Sequence, residues 1–184
     1  FAEKVQKYCA FAICNIMSSH VDKSIFQELI DNRTISDIVV VTLLRINSGF
    51  TKEALAKALF NFLSRVEFRE TMVGNGGKDD LDLLSAILEL AKIELLELLT
   101  ISIRVIFNIS CEVSNPLYAK KFDALGVPQL LIARITHNKF INGARANNEI
   151  KLMCSMAMAN LSFNITLAKH MILDKSFADA CVAI

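Results

Sequence analysis

Four stretches decide how this sequence reads: AFAICNIMS at 10–18, AKALFNFLS at 56–64, RVIFNIS at 104–110 and MAMANLS at 156–162. Each runs small and apolar residues into an asparagine and follows it with an apolar residue and a small one nearby. The asparagines, Asn15, Asn61, Asn108 and Asn160, stand 46, 47 and 52 positions apart. The first two intervals match the ~40–47-residue period of stacked helical repeats. Three positions before each Asn stand Ala12, Ala58, Val105 and Ala157, and one position after it Ile16, Phe62, Ile109 and Leu161. Small residues there let helices approach closely, and the large ones fill the layer between repeats. Asparagine in a helix interior is mildly unfavourable, because its amide competes for backbone hydrogen bonds. Its recurrence at one helical position therefore asks for a reason, the plainest being a ladder of amides that ties each repeat to the next.

Composition supports an all-α chain. The 184 residues are 53% hydrophobic, with two Pro and six Gly, and Ile, Leu, Val and Ala dominate. That length fits one domain, 1–184, with enough apolar material for a sizeable core. Between asparagines there is room for two further helices. Residues 22–31 read as a short helix, Thr34 or Ser36 caps a second that runs to about Ile46, and 48–51 turn into the motif helix. In the next interval 74–77 form a turn, Asp79 and Asp80 cap a helix over 81–91, and 93–110 form the long third helix. Asn115-Pro116 then supplies a cap and a first-turn proline, with a break at Leu125-Gly126-Val127-Pro128. Three helices per unit, with the asparagine on the third, is the expectation.

With the motif and the LGVPQLL turn at 125–131 in view, the chain resembles the armadillo repeat family. That family has a third-helix segment similar to A-x-x-A-L-x-N-L and a Gly-x-x-Pro-type turn before its second helix. The resemblance implies a right-handed α-solenoid of about three full repeats flanked by partial ones. HEAT repeats are the near alternative, disfavoured by their two-helix units and lack of an asparagine ladder. It also implies that third helices line a concave groove that holds a partner segment, with the ladder asparagines clamping its backbone.

On the row set by Asn15, Asn61, Asn108 and Asn160, one turn earlier lie Phe11, Lys57, Arg104 and Met156, and two turns earlier Lys7, Glu53, Thr100 and Leu152. Importin-α-like receptors have a Trp four residues before the Asn; this chain has no Trp, so a nuclear-localisation-signal receptor is not the expectation. Lys57 and Arg104 would make the groove centre cationic, suited to an acidic or phosphorylated segment, or they are simply solvated charges. The longer last interval places its extra residues in a polar stretch at 137–148, a candidate recognition loop with Lys139, Phe140 and Arg145, or a tolerated insertion.

Other chemistry finds little footing. Twenty basic residues against nineteen acidic give a net charge of +1, without the surplus that nucleic-acid binding rewards. Apolar stretches such as 38–44 and 98–101 are broken by polar or charged residues, well short of the roughly 20 residues that span a bilayer. Cys9, Cys14, Cys111, Cys154 and Cys181 are odd in number and lack zinc or disulfide spacing; they read as reduced, buried small hydrophobes of a cytoplasmic or nuclear protein. The sequons at Asn108 and Asn160 fall in helices expected to be packed, where a glycan has no room. His20, His137 and His170 have no metal-ligand spacing and read as exposed or capping. The GNGGK at 74–78 is followed by Asp79 rather than Ser or Thr, so it reads as a turn, not a phosphate loop. No metal, cofactor or catalytic group is expected. The chain reads as a protein-binding scaffold or adaptor, a section of a longer protein. Its high mean hydropathy, +0.42, also favours an alternative, a structural module that assembles through exposed end repeats.

Overall fold

The computed structural model describes residues 2–18, 24, 28, 49–65, 69, 83–137 and 144–183. All secondary structure among them is helical. Nine helices follow in order: α1 (Ala2–Ser18), α2 (Gly49–Leu63), α3 (Leu83–Lys92), α4 (Leu96–Ser110), α5 (Pro116–Ala124), α6 (Val127–His137), α7 (Ala144–Ser162), α8 (Ile165–Leu173) and α9 (Phe177–Val182). They divide into two compact units, Phe1–Val105 and Ile106–Ile184. The four motif stretches all lie on helices: α1, α2, α4 and α7.

In the first unit α1 packs along α2. Helix α2 buries Thr51, Ala54, Leu55, Ala56, Ala58, Leu59, Phe62 and Leu63, too broad a set for one stripe, so it is enclosed on more than one side. Helix α3 ends with Lys92 bonded to Glu89 at 2.6 Å, a cation placed well for the carbonyl end of a helix. The boundary expected between the helices over 81–91 and 93–110 is present, but it takes up 93–95, so the second of these helices starts at Leu96 rather than Ile93. Ile93 N–H turns back to the Leu90 carbonyl at 3.1 Å, and Leu99 N–H finds the Leu95 carbonyl at 2.9 Å to start α4. The polar Ser102 is buried in α4 because its hydroxyl donates to Leu98 O at 2.7 Å, the usual way a mid-helix serine is satisfied.

The second unit is built around α6, which contacts α5, α7, α8 and α9. The Asn115 side chain accepts from Leu117 N–H at 3.0 Å and caps α5, with Pro116 in the first turn as its sequence indicated. Tyr118 and Phe122, one turn apart, drive the buried face, their ring centroids 6.3 Å apart. At the turn into α6, Gly126 adopts φ 67°, the left-handed region glycine reaches without strain. Pro128 falls in the first turn of α6, where a missing N–H costs nothing. A similar pair follows. Asn164, 49 residues after Asn115, caps α8 by accepting from Thr166 and Leu167 N–H. Leu167 and Met171 then take the buried places that Tyr118 and Phe122 hold in α5. Lys151 on α7 donates to Ala183 O at 2.9 Å and ties α7 to the end of α9.

Several expectations need correction. Residues 137–148 are not one loop: His137 closes α6, and Ala144 already opens α7, so 144–148 are helical. Gly49 likewise begins α2 rather than forming a turn before it. The cysteines are free, but only Cys154 is buried; Cys9, Cys111 and Cys181 are exposed and Cys14 is half-buried. Apart from Ser24 and Glu28, which are helical, the helices expected between 22 and 46, the turn at 74–77, Lys78 with the Asp79–Asp80 cap, and His20 lie outside the described residues.

Burial pushes the Cys154 thiol up from its ordinary 9.0 to about 12, partly opposed by the charge of Arg134. The unfolded chain therefore releases this proton before the folded protein does. Stability from Cys154 is whole below pH 9 and falls as pH rises toward 12, by about 1.4 kcal/mol per pH unit at most. Urea unfolding between pH 8 and 11 should show a shallower decline in Cys154→Ala than in wild type, and Cys9, Cys111 and Cys181 should be alkylated at neutral pH while Cys154 is spared.

Candidate functional site

The motif helices set two faces. At ten, seven and three positions before the asparagine and one after it, α2 carries Thr51, Ala54, Ala58 and Phe62, all buried; α4 carries Leu98, Ile101, Val105 and Ile109, also buried. In α7 the set is Ile150, Met153, Ala157 and Leu161, buried except for a half-buried Met153. Helix α1 departs from this. Its Val5 (47%), Tyr8 (66%), Ala12 and Ile16 (47%) are exposed, so Ala12 and Ile16 do not fill the layer expected of them.

The second face is the row at four and eight positions before the asparagine, and none of its residues is buried. Phe11, Lys57, Leu152 and Met156 are exposed; Lys7, Glu53, Thr100 and Arg104 are half-buried. Of the asparagines, Asn15 is exposed and Asn61, Asn108 and Asn160 are half-buried.

Helices α1 and α2 bring the first two rows together. The Phe11 and Phe50 rings meet edge to face, centroids 5.4 Å apart, and Lys7 Nζ lies 4.4 Å above the Phe50 ring. Such a contact favours a cation over the negative ring face. Phe50, 49% exposed, sits outside the row that spacing alone defines, because it enters from the first turn of α2. Lys57 forms an ion pair with Glu53 one turn back, so its charge is offset locally, and Arg104 is half-buried. The cationic groove centre expected of these two residues is therefore not an open pair of charges.

The asparagines are tied to serines. Asn61 Nδ2 donates to Ser18 Oγ at 2.6 Å, and Asn160 Nδ2 donates to Ser110 Oγ at 2.9 Å, with Cys111 Sγ at 3.5 Å. Each serine ends the preceding copy of the motif. Its own hydroxyl proton is turned back to its helix, Ser18 to Cys14 O and Ser110 to Phe107 O. That leaves its lone pairs facing the neighbour's amide. The clue was in the sequence, since every copy closes on Ser two or three residues after Asn.

Of the expected recognition loop, Arg145 lies in α7, and Lys139 and Phe140 lie outside the described residues. His170, expected to be exposed or capping, contacts Asp123 through Nδ1 and links α8 to α5. His137 contacts the neighbouring Thr136 hydroxyl. Among the described residues no group of three or more His, Cys, Asp or Glu could hold a metal ion, and no helix is long and apolar enough to cross a membrane.

No family model matches the chain, and no curated protein matches it. The fold is similar to the crystal structure of an engineered protein, with a TM-score of 0.66 and 21% identity. The match covers 96% of this chain and 63% of that one. At that identity the likeness is one of fold alone.

The two asparagine ties differ in setting, which separates their energetic roles. Ser110 is fully buried, so Asn160→Ala strips a partner where water cannot replace it and should cost about 1–3 kcal/mol in chemical denaturation. Ser18 is exposed, and Asn61→Ala should stay within about 0.5 kcal/mol of wild type.

Proposed function

We propose that this chain is a section of an armadillo-type right-handed α-solenoid that acts as an intracellular scaffold, binding an extended segment of another protein across the exposed row of its motif helices. Support for the repeat reading comes from the motif spacing, the recurrence of an Asn-capped helix after each of the last two motif copies, and the Asn–Ser ties. The free, partly exposed cysteines agree with a reducing compartment.

The observation that carries the binding reading is the Phe11–Phe50 pair beneath Lys7 on the α1–α2 face. Two aromatic rings left half-open on a helix face form a shelf for an apolar side chain. Lys7 can meet a carboxylate or phosphate next to it, and Lys57 can do the same once it leaves Glu53, because an exposed ion pair of that kind is worth little. Asn61 uses one amide hydrogen on Ser18 and has its Oδ1 open among the described residues to receive a backbone N–H.

Fluorescence anisotropy with a panel of extended peptides that combine apolar and acidic residues tests the reading. Binders should lose about tenfold in affinity, roughly 1.4 kcal/mol, in Phe50→Ser, and should associate more slowly and with weaker salt dependence in Lys7→Glu. Both variants should unfold close to wild type, as Phe50 is exposed and Lys7 only half-buried. A panel in which Phe50→Ser and Lys7→Glu bind as wild type does would reject this face.

A further inference from the structure

Lys7 and the two rings beside it fix the spacing of a ligand as well as its chemistry. Lys7 Nζ stands 4.4 Å above the centroid of Phe50, and the Phe50 ring meets that of Phe11 with centroids 5.4 Å apart. Among the described residues Lys7 has no carboxylate within ion-pair distance, whereas Lys57 has Glu53. Phe50, Glu53 and Lys57 follow one another at intervals of three and four and so share one face of α2. Glu53 is half-buried and Lys57 exposed, so an acid that took Lys57 away would leave a partly desolvated carboxylate without its partner. Of the two lysines on this row, Lys7 is the one a ligand engages first. It offers a single positive charge, and a carboxylate matches that charge. A phosphate dianion would exceed it and would meet the repulsion of Glu53 on the face of α2 that carries Phe50.

We infer that the segment held by the α1–α2 face carries an apolar side chain and a carboxylate two positions apart in its own sequence. The inference rests on the binding reading of that face and adds the pattern the ligand must have. An apolar side chain laid on the Phe11 and Phe50 rings fixes one point of the segment. A carboxylate oxygen paired with Lys7 at up to about 4 Å then lies within roughly 8 Å of the Phe50 centroid. In an extended chain neighbouring side chains point to opposite faces, those two positions apart share a face at about 7 Å, and those four apart share it at about 13 Å. An acid next to the apolar residue points away from Lys7, and one four positions off overshoots it. The two-position spacing alone puts one side chain on the rings and the other at the ammonium. The direction in which the segment runs decides whether the acid comes before or after the apolar residue.

The chain has no Trp, so the emission of a single Trp in a peptide reports binding directly. Short end-blocked peptides of Ser and Thr that carry one Trp and one Glu, placed one, two or four positions apart in either order, are titrated with the protein. The two-position peptide, in one of its orders, should bind about fivefold more tightly than the adjacent and four-position peptides. Lys7→Met keeps an apolar stem over the ring and removes the charge, and should bring all spacings to the same affinity. Phe50→Ser should weaken every peptide, and circular dichroism checks that the helices persist in both variants. Peptides that bind through Phe50 with no preference for spacing, or whose preference survives Lys7→Met, overturn the inference and leave the binding reading of the face intact. Peptides that bind Phe50→Ser as well as wild type, or that do not bind at all, overturn that reading and the inference with it. Phosphoserine in place of Glu should bind no more tightly; tighter binding would make the ligand acid a phosphate and overturn the carboxylate.

Discussion

The contact on which the arrangement of these helices turns is a side-chain amide donating to a serine hydroxyl at the end of the preceding motif. An asparagine in mid-helix costs a few tenths of a kilocalorie or more against alanine, and nothing local to the helix offsets that. The serine does, because its proton is committed to its own helix, Ser18 to Cys14 and Ser110 to Phe107, and only its acceptor side is presented. Once Asn61 or Asn160 is held in that direction the rotation of the whole helix is fixed. The positions three before and one after then face the packed layer, and those four and eight before face outward. A helix held only by apolar contact could roll by a residue and bury a different stripe; the Asn160 bond to the buried Ser110 makes that slip expensive, the Asn61 bond to the exposed Ser18 much less so.

Much of this was legible in the sequence because it is carried by local chemistry. Asn115-Pro116 had to start a helix, and Gly126 had to sit where the chain turns, since both outcomes depend on one side chain and its own backbone. The outward row followed from helical periodicity once the asparagines set the phase. What escaped were partners supplied by another helix. Ser18 and Ser110 are ordinary small residues until the neighbouring amide is placed, Phe50 joins Phe11 only through the crossing of α1 and α2, and His170 meets Asp123 across 47 positions of chain. The break between α3 and α4, expected at residue 92, falls at 93–95. Ile93, Glu94 and Leu95 contain no glycine or proline, so nothing local marks where the second helix starts. The cysteines misled because a small apolar-like residue within a helical pattern is buried only if its phase matches the packed stripe and that stripe is covered. Cys9 and Cys154 both stand six positions before a motif asparagine, yet Cys154 is buried and Cys9, on the open face of α1, is exposed; Cys111, three positions after Asn108, is off the stripe.

The expected cationic centre shows why charge cannot be read from spacing alone. Lys57 follows Glu53 by four positions, an orientation in which carboxylate and ammonium meet readily on one helix, and they do. The cation with a distinct setting is Lys7, whose partner is an aromatic face rather than a carboxylate. An ammonium over a ring keeps most of its hydration and its long-range field, whereas one paired to a carboxylate loses the latter. The exposed chemistry of the α1–α2 face therefore lies more in its rings and Lys7 than in Lys57.

The high apolar content of the chain becomes intelligible once each motif helix is seen to have two working faces. At about 100° of rotation per residue, the outward row centred on the fourth and eighth positions before the asparagine lies roughly 125° around the helix from the packed stripe. A ligand on the first need not disturb the second. In α2 and α4 the stripe is buried, and the apolar residues in it are an ordinary core. In α1 the same positions are equally apolar and open. Surface that a helix would need only if something lay against it is a cost in solubility when nothing does, and repeat units in general cannot bury their stacking faces by themselves.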